Sequence, residues 1–307
     1  MTLEEFLDDK LNQLDKELSI LLQNKLNSGA IDRYRLELAE ESLFQLWQGR
    51  DAFYDYPESG WAYLNWYHPK RVLTSLIPAI QIVESLEENP ITVLDLGCGT
   101  GATFQAFLLL KDFHQQTRRP FPSKFTYIGI DSSPSQLGYA IEIANTTSSS
   151  NDVNFRFSLN RWENAVQEES FDNLWISANY LLDASDANRT ESLSKNLNSL
   201  VKSSNCKGVW MQSVGRKTST IQTLLEYSNL SDEQITNQEI DAYSKRLPLL
   251  GKLKQSTSKL DKGFAKAPVT AEAKYCKTFF AYNHAANSKG EKSQLISPPF
   301  HVPVSIN

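Results

Sequence analysis

The chain reads as an α/β protein, a mostly parallel, twisted sheet flanked by helices, with a helical extension in front of it. Three observations predict this. An apolar run enters a loop of alternating glycines at Val93-Leu-Asp-Leu-Gly-Cys-Gly-Thr-Gly101. A second apolar run, Phe125-Thr-Tyr-Ile-Gly-Ile-Asp131, ends in an acid and is followed by a helix signal. Further strand patterns recur at Val153, Phe171 and Lys207, at spacings that suit a parallel sheet.

Taken from the N-terminus, Leu7, Leu11, Leu14, Leu18 and Leu21 alternate at steps of four and three, which predicts a helix with a narrow apolar seam. Asn27-Ser-Gly-Ala30 breaks it. A second helical pattern on Ile31, Tyr34, Leu38, Ser42 and Trp47 makes an α-hairpin. Two roles stand open for the hairpin: packing on the sheet or on a partner subunit, as a homo- or hetero-oligomer, and acting as a lid or docking module. Seven aromatics then fall within residues 53–67, from Phe53-Tyr-Asp-Tyr56 to Trp61-Ala-Tyr-Leu-Asn-Trp-Tyr67. Their flat faces suit a wall around a cationic or planar ligand, and equally a hydrophobic plug. His68 follows, either a core residue or a base. Val72, Leu76, Ile77 and Ile80 continue as a helix with Pro78 as a kink point, and Pro90 marks the approach to the first strand.

In that strand's loop, Gly97, Gly99 and Gly101 let the backbone bend sharply and approach a ligand that a Cβ would push away. The helix starting near Ala102 presents unpaired N–H groups to an anion. After Asp131, Ser132 and Ser133 offer N-cap oxygens and Pro134 fits the first helical position, ahead of Leu137, Ala140, Ile141 and Ala144. Val153-Asn-Phe-Arg-Phe157 alternates as a third strand and runs into Leu159-Asn160-Arg161-Trp162. Phe171 to Ala178 is a fourth, followed by Asn179 and Tyr180, and Lys207 to Val214 is a fifth. Ala273 to Tyr282 supplies one late strand; a sixth gives no signal.

This succession resembles motif I and the downstream motifs of the class I S-adenosylmethionine (SAM)-dependent methyltransferases, a Rossmann-like family, over about residues 90 to 215. The resemblance implies SAM as cofactor. It places Gly97, Cys98, Gly99 and Gly101 in the cofactor loop, Asp95 opposite the amino group and Asp131 on the ribose hydroxyls beside Ser132. Asn160 falls where the family binds the adenine amino group, more often with Asp. Arg161 adjoins it, and Trp162 offers an aromatic wall. Asn179 lies where the fourth strand's carboxyl end faces the reactive methyl. The family's amino-methylating nucleic-acid enzymes carry Asn/Asp-Pro-Pro-aromatic there; Asn179-Tyr180-Leu181-Leu182 lacks the prolines, which argues against adenine or cytosine N-methylation. Tyr180 and His68 are base candidates by position alone.

Two rivals stand beside this reading. Gly97, Gly99 and Ala102 also satisfy the dinucleotide fingerprint of an oxidoreductase. Against it, Asp95 would repel a pyrophosphate, and Asp131 lies 29 residues past Ala102 where roughly 20 are expected. A non-catalytic SAM-binding scaffold is the other, and it would have no need of the intact glycines and Asp131.

Composition narrows the class further. The 307 residues are 40% hydrophobic with net charge −5, enough for a large core. No apolar run of about 18 residues occurs, and charges stand where a signal peptide needs an apolar core, so a cytoplasmic protein without a membrane span is expected. Cys98, Cys206 and Cys276 are scattered, and with His68, His114, His284 and His301 they form no metal pattern. Cys98 needs only to be small. Seven lysines from Lys252 to Lys277 face Asp261 and Glu272, whereas residues 1–60 hold thirteen acids and six bases. The lysine run is a solvated loop or an edge that tracks phosphates. The expected organisation is 1–88 as hairpin and aromatic cap, 89–286 as methyltransferase domain and 287–307 as a mobile tail. A small-molecule acceptor is favoured over RNA or protein, because the chain is acidic and aromatics precede the first strand.

Overall fold

All five strand patterns between residues 90 and 214 become strands, and the helices between them force a parallel sheet. The computed structural model describes residues 3–47, 53–54, 56–86, 89–147, 153–165, 171, 173–179, 187–203, 206–213, 231–236 and 277–282. The strands are β1 Ile91–Leu96, β2 Phe125–Asp131, β3 Val153–Leu159, β4 Leu174–Ser177, β5 Cys206–Ser213, β6 Ser231–Thr236 and β7 Lys277–Tyr282, in the order β3-β2-β1-β4-β5-β7-β6. β1 to β5 pair in parallel, while β7 runs antiparallel to both β5 and β6. The order reverses at β1, with β2 on one side and β4 on the other, and a crevice outside the carboxyl ends forms at such a point.

Burial explains why β1 shows no alternation: all six of its residues are buried, because helices cover both faces. On one face Ile91, Val93, Phe125 and Tyr127 pack against helices α4 (His68–Leu86) and α5 (Ala102–Thr117), with Phe104 and Phe107 central. On the other, Leu94, Leu96, Ile128 and Ile130 pack against α7 (Ala187–Ser203) through Leu193, Leu197, Leu200 and Val201. Helix α7 has no counterpart among the sequence expectations, although its four core residues keep a helical spacing; the polar positions between them mask it. β6 has none either. Its sequence, Ser-Asp-Glu-Gln-Ile-Thr, neither alternates nor forms an apolar run, and it lies at the sheet's edge.

Helices α1 (Leu3–Asn27) and α2 (Arg33–Trp47) form the expected hairpin, turning at Gly29, whose φ is 73°. Asp32 caps α2, its Oδ1 accepting the Arg35 N–H at 2.8 Å. The extension shares its core with the sheet domain. Phe6 and Leu7 of α1 join the α4–α5 layer, with Phe6 against Phe113 at 5.5 Å between ring centroids. Leu22, Ile31, Leu36 and Leu43 pack with Trp61, Leu64 and Tyr67 of the aromatic segment and with Ile143 of helix α6 (Pro134–Thr147). That segment is itself helical as α3 (Ser59–Trp66), and α4 runs through Pro78 without interruption. Among the described residues, no helix is long and apolar enough to cross a membrane. The 29-residue separation of Ala102 and Asp131 is taken up by the sixteen-residue α5, the loop after it and the seven-residue β2. Arg118 turns the chain there at φ 54°. Ser148 to Asp152, the lysines from Lys252 to Lys274 and the tail from Asn287 lie outside the described residues.

Candidate functional site

The carboxyl end of β1 opens into the glycine loop, and its three glycines all take positive φ, 69° at Gly97, 55° at Gly99 and 78° at Gly101. A side chain is strained at such angles. The loop is pinned by backbone bonds: the N–H groups of Gly97 and Cys98 donate to the Ile130 carbonyl at 2.8 and 3.0 Å, and Gly101 N–H donates to Cys98 O at 2.9 Å. Gly101 is the N-cap of α5 and brings no side-chain cap, so the helix's first N–H groups remain for an anion.

Asp131, at the end of β2, holds the loop from the other side. Its Oδ2 accepts the Gly99 N–H at 2.8 Å and its Oδ1 accepts the Ser133 N–H at 2.8 Å, with the Ser132 backbone also bonded to it. Burial raises its pKa and these N–H bonds oppose the rise. The carboxylate is therefore oriented before any ligand arrives, and with three of its roughly four acceptor sites taken by N–H groups it keeps about one for a hydroxyl. Ser132 is exposed beside it.

Asp95 is only 2% exposed. Tyr127 donates its hydroxyl to Asp95 Oδ2 at 2.6 Å, and the hydroxyls of Ser177 and Thr103 bond to the same carboxylate. Desolvation nevertheless lifts its pKa to about 6, with the charge of Asp131 adding to the rise. Asn179 completes the group. Its Nδ2 donates to Ser177 Oγ at 2.8 Å and, more weakly, to Thr103 Oγ1 at 3.5 Å, while its buried Oδ1 has no partner among the described residues. An acceptor left unpartnered at the carboxyl end of β4 is costly unless a ligand or water satisfies it.

Other sequence-derived residues are placed as follows. Cys98 is buried and its thiol pKa is pushed well up, first by burial and then by Asp131 and Asp95, so no thiolate forms there. Asn160 is exposed; its N–H donates to Asp131 O at 3.0 Å and its Oδ1 accepts the Arg161 N–H at 2.8 Å. Arg161 is exposed and paired with Glu163 at 3.3 Å. Trp162 is 8% exposed and packs with Leu94, Leu96 and Ile130, which makes its ring chiefly a core element. His68 is fully buried, its Nδ1 at 2.9 Å from Thr100 Oγ1, and desolvation lowers its pKa to about 3. The ring is neutral at physiological pH and braces the glycine loop. Tyr180 lies outside the described residues.

Sequence reasoning missed Tyr127, Thr103, Ser177 and Gln136. Tyr127 and Ser177 sit within apolar strands, where a lone hydroxyl among aromatics or aliphatics was the available signal. It also missed how the aromatic segment meets the loop. Tyr63 of α3 stands 3.8 Å from where a Gly99 Cβ would lie, with Gln136 Oε1 at 2.7 Å from the same point. Tyr63 stacks on Tyr67 at 5.2 Å between centroids. Helix α3 is fastened to α6 by the Gly60 N–H donating to Ser135 Oγ at 2.8 Å and by Ser135 Oγ donating to Pro57 O at 2.6 Å. Gly60 permits this contact, since a Cβ there would meet the Ser135 carbonyl oxygen at 2.3 Å.

A glycine loop, two oriented acids and an uncapped helix start make the carboxyl end of β1 the candidate cofactor site of this Rossmann-like sheet. Residues 87–255, more than half of the chain, match the model of the methyltransferase domain family, and the chain belongs to that family. It is a SAM-dependent methyltransferase. No curated protein matches it in sequence. Among solved structures it is similar to the magnesium protoporphyrin IX methyltransferase of Synechocystis PCC 6803 with bound SAM, at 12% identity and TM-score 0.45, over 80% of this chain and 92% of that one. It is also similar to a plantazolicin methyltransferase in complex with a monoazolic desmethyl analogue and S-adenosylhomocysteine (SAH), at 17% identity and TM-score 0.41, over 86% and 99% of the two chains. A small RNA methyltransferase is similar at 13% identity and TM-score 0.44, over 71% of this chain and 26% of that one. Likeness at this level indicates no acceptor for this chain.

Proposed function

We propose that the protein transfers the SAM methyl group in line to a small-molecule acceptor held under the α3 cap. The observation that carries this reading is the cover on the cofactor loop: Tyr63 lies against Gly99, and Gly60 fastens its helix to α6 at Ser135. An aromatic cover over the loop favours a compact ligand that sheds its water.

The residues present fit the cofactor part by part. Asp95 would pair with the α-ammonium and the first N–H groups of α5 with the carboxylate. Asp131 would accept from the ribose hydroxyls, with Ser132 beside it, and Asn160 and Arg161 would border the adenine with Trp162 behind them. Asn179, with its unpartnered Oδ1, would face the sulfonium end, where Gly97, Cys98, Gly99 and Gly101 let the backbone approach. The cofactor supplies an electrophilic methyl on a positively charged sulfur. The chain's part is to align an acceptor lone pair with that methyl and to exclude water, the source of much of the acceleration in such displacements. Because His68 is neutral, buried and engaged with Thr100, an acceptor that is already nucleophilic suits this site better than one needing a base at that position.

The test is incubation with methyl-labelled SAM and a lysate separated into small-molecule, RNA and protein fractions. Label in the low-mass fraction is expected. Label in RNA, lost at high salt and in a variant neutralised at Lys254, Lys259, Lys262 and Lys266, would replace the small-molecule reading with an RNA one. Binding of SAH without transfer to any fraction would favour a scaffold.

A further inference from the structure

One side chain near the cofactor loop has a polar group where packing alone would be served without it. Phe104, Phe125 and Phe157 surround Tyr127, whose ring lies 4.9 Å from Phe104 and 5.6 Å from Phe157 between centroids, and Phe155 is its register partner on β3. Tyr127 is 0% exposed. A phenylalanine would fill the same space, and a buried hydroxyl is costly unless it is bonded. This one is bonded to Asp95 at 2.6 Å, a short, charge-assisted contact.

We propose that Tyr127 is a positioning residue for cofactor binding, its hydroxyl fixing the orientation and the charge of Asp95 from beneath the site. The register allows it: Val93 pairs with Tyr127 and Asp95 with Gly129, so the tyrosine lies diagonally one step below the acid on the same face of the sheet, and the space above Gly129 is filled by Cys98 Sγ and the Phe157 ring, each 2.8 Å from where a Cβ would lie. The inference rests on the reading of Asp95 as the ammonium's partner.

The groups facing Asp95 differ in what they do. From β2, Tyr127 donates; from β4, Ser177 donates; from α5, Thr103 donates. Asn179 donates to both Ser177 Oγ and Thr103 Oγ1, which frees those hydroxyl hydrogens for the carboxylate. Asp131 opposes ionisation by its charge, and the Cys98 thiol beside them stays protonated. Burial is the largest influence and also opposes ionisation, and among the hydrogen bonds that resist it Tyr127's is the strongest. Without that hydroxyl Asp95 would hold its proton nearer to neutrality and would be held by Ser177 and Thr103 alone.

The experiment uses the full chain with Tyr127→Phe, which keeps every ring contact, and reads two quantities. The first is the titration of the Asp95 carboxyl carbon by NMR in the free protein, assigned with Asp95→Asn. The second is SAH affinity by calorimetry from pH 5 to 8. The Asp95 midpoint, near 6 in the native chain, is expected to rise by about one unit, and SAH affinity to fall roughly fivefold at pH 6 with much less change at pH 8. Replacing Tyr127 by 3-fluorotyrosine, a stronger donor of nearly the same shape, should shift the midpoint the opposite way, which general damage to the core would not do. An unmoved midpoint in both variants overturns the inference. A midpoint that moves in proteins that never bind SAH overturns the cofactor role of Asp95 and Tyr127 together, and so separates that failure from the first.

Discussion

Replacing Asp95 by asparagine should make the protein more stable at neutral pH and worse at binding its cofactor. Burial lifts the Asp95 pKa to about 6 from the 3.9 or so of a carboxyl in an unfolded chain. The sign follows from linkage. An acid whose folded pKa is raised binds its proton more tightly in the folded state, so its favourable contribution is complete below about pH 4 and is lost as pH rises through about 6. Two pKa units correspond to about 3 kcal/mol, which the ionised carboxylate withholds from stability at pH 7. Asparagine escapes that cost but gives the three hydroxyl donors one acceptor oxygen instead of two. A net gain on the order of 1–3 kcal/mol results, at roughly 2–4 °C per kcal/mol for a domain of this size. The assay is thermal melting of native and variant chains between pH 4 and 8. The difference between the two should be largest above pH 7 and vanish near pH 4. His68 contributes to the pH dependence of both chains with the opposite sign, since its folded pKa is depressed to about 3, and so cancels in the difference. In parallel, SAH affinity should fall by about 1.5–3 kcal/mol, the worth of a charge-assisted bond. An Asp95→Asn protein that melts below the native one at every pH, or that binds SAH with unchanged affinity, would refute the reasoning.

Asp131→Ala should weaken SAM and SAH binding by roughly 1.5–3 kcal/mol, measured by calorimetry, through lost ribose contacts and a freed Gly99 N–H. Gly99→Val should abolish cofactor binding and lower the melting temperature modestly, because a β-branched residue at φ 55° is strained and its Cβ would lie 2.7 Å from Gln136 Oε1. Gly60→Ala should cost on the order of 1–3 kcal/mol of stability and reduce turnover more than SAH affinity, since its Cβ would drive α3 off the Ser135 carbonyl. Turnover equal to native in a destabilised Gly60→Ala protein would show that the α3 cap has no part in transfer.

The parts of this protein legible from residue order are those where local chemistry admits one solution. Three alternating glycines after an apolar strand make a loop with positive φ at each, Pro134 behind two serines starts a helix, and leucines at steps of four and three make α1. The acids at the ends of β1 and β2 were legible because a carboxylate that closes an apolar run needs a purpose. What those acids touch was settled by the assembled fold. That Tyr127 reaches Asp95, that Asn179 reaches across to Thr103, and that Tyr63 covers Gly99 all depend on register and helix placement. Such contacts join residues 32 to 76 positions apart in the chain. Neither periodicity nor propensity carries information over that distance. The same physics hid β6 and α7: a strand at the sheet's edge tolerates polar residues, and a helix that covers one face needs apolar ones only along a stripe.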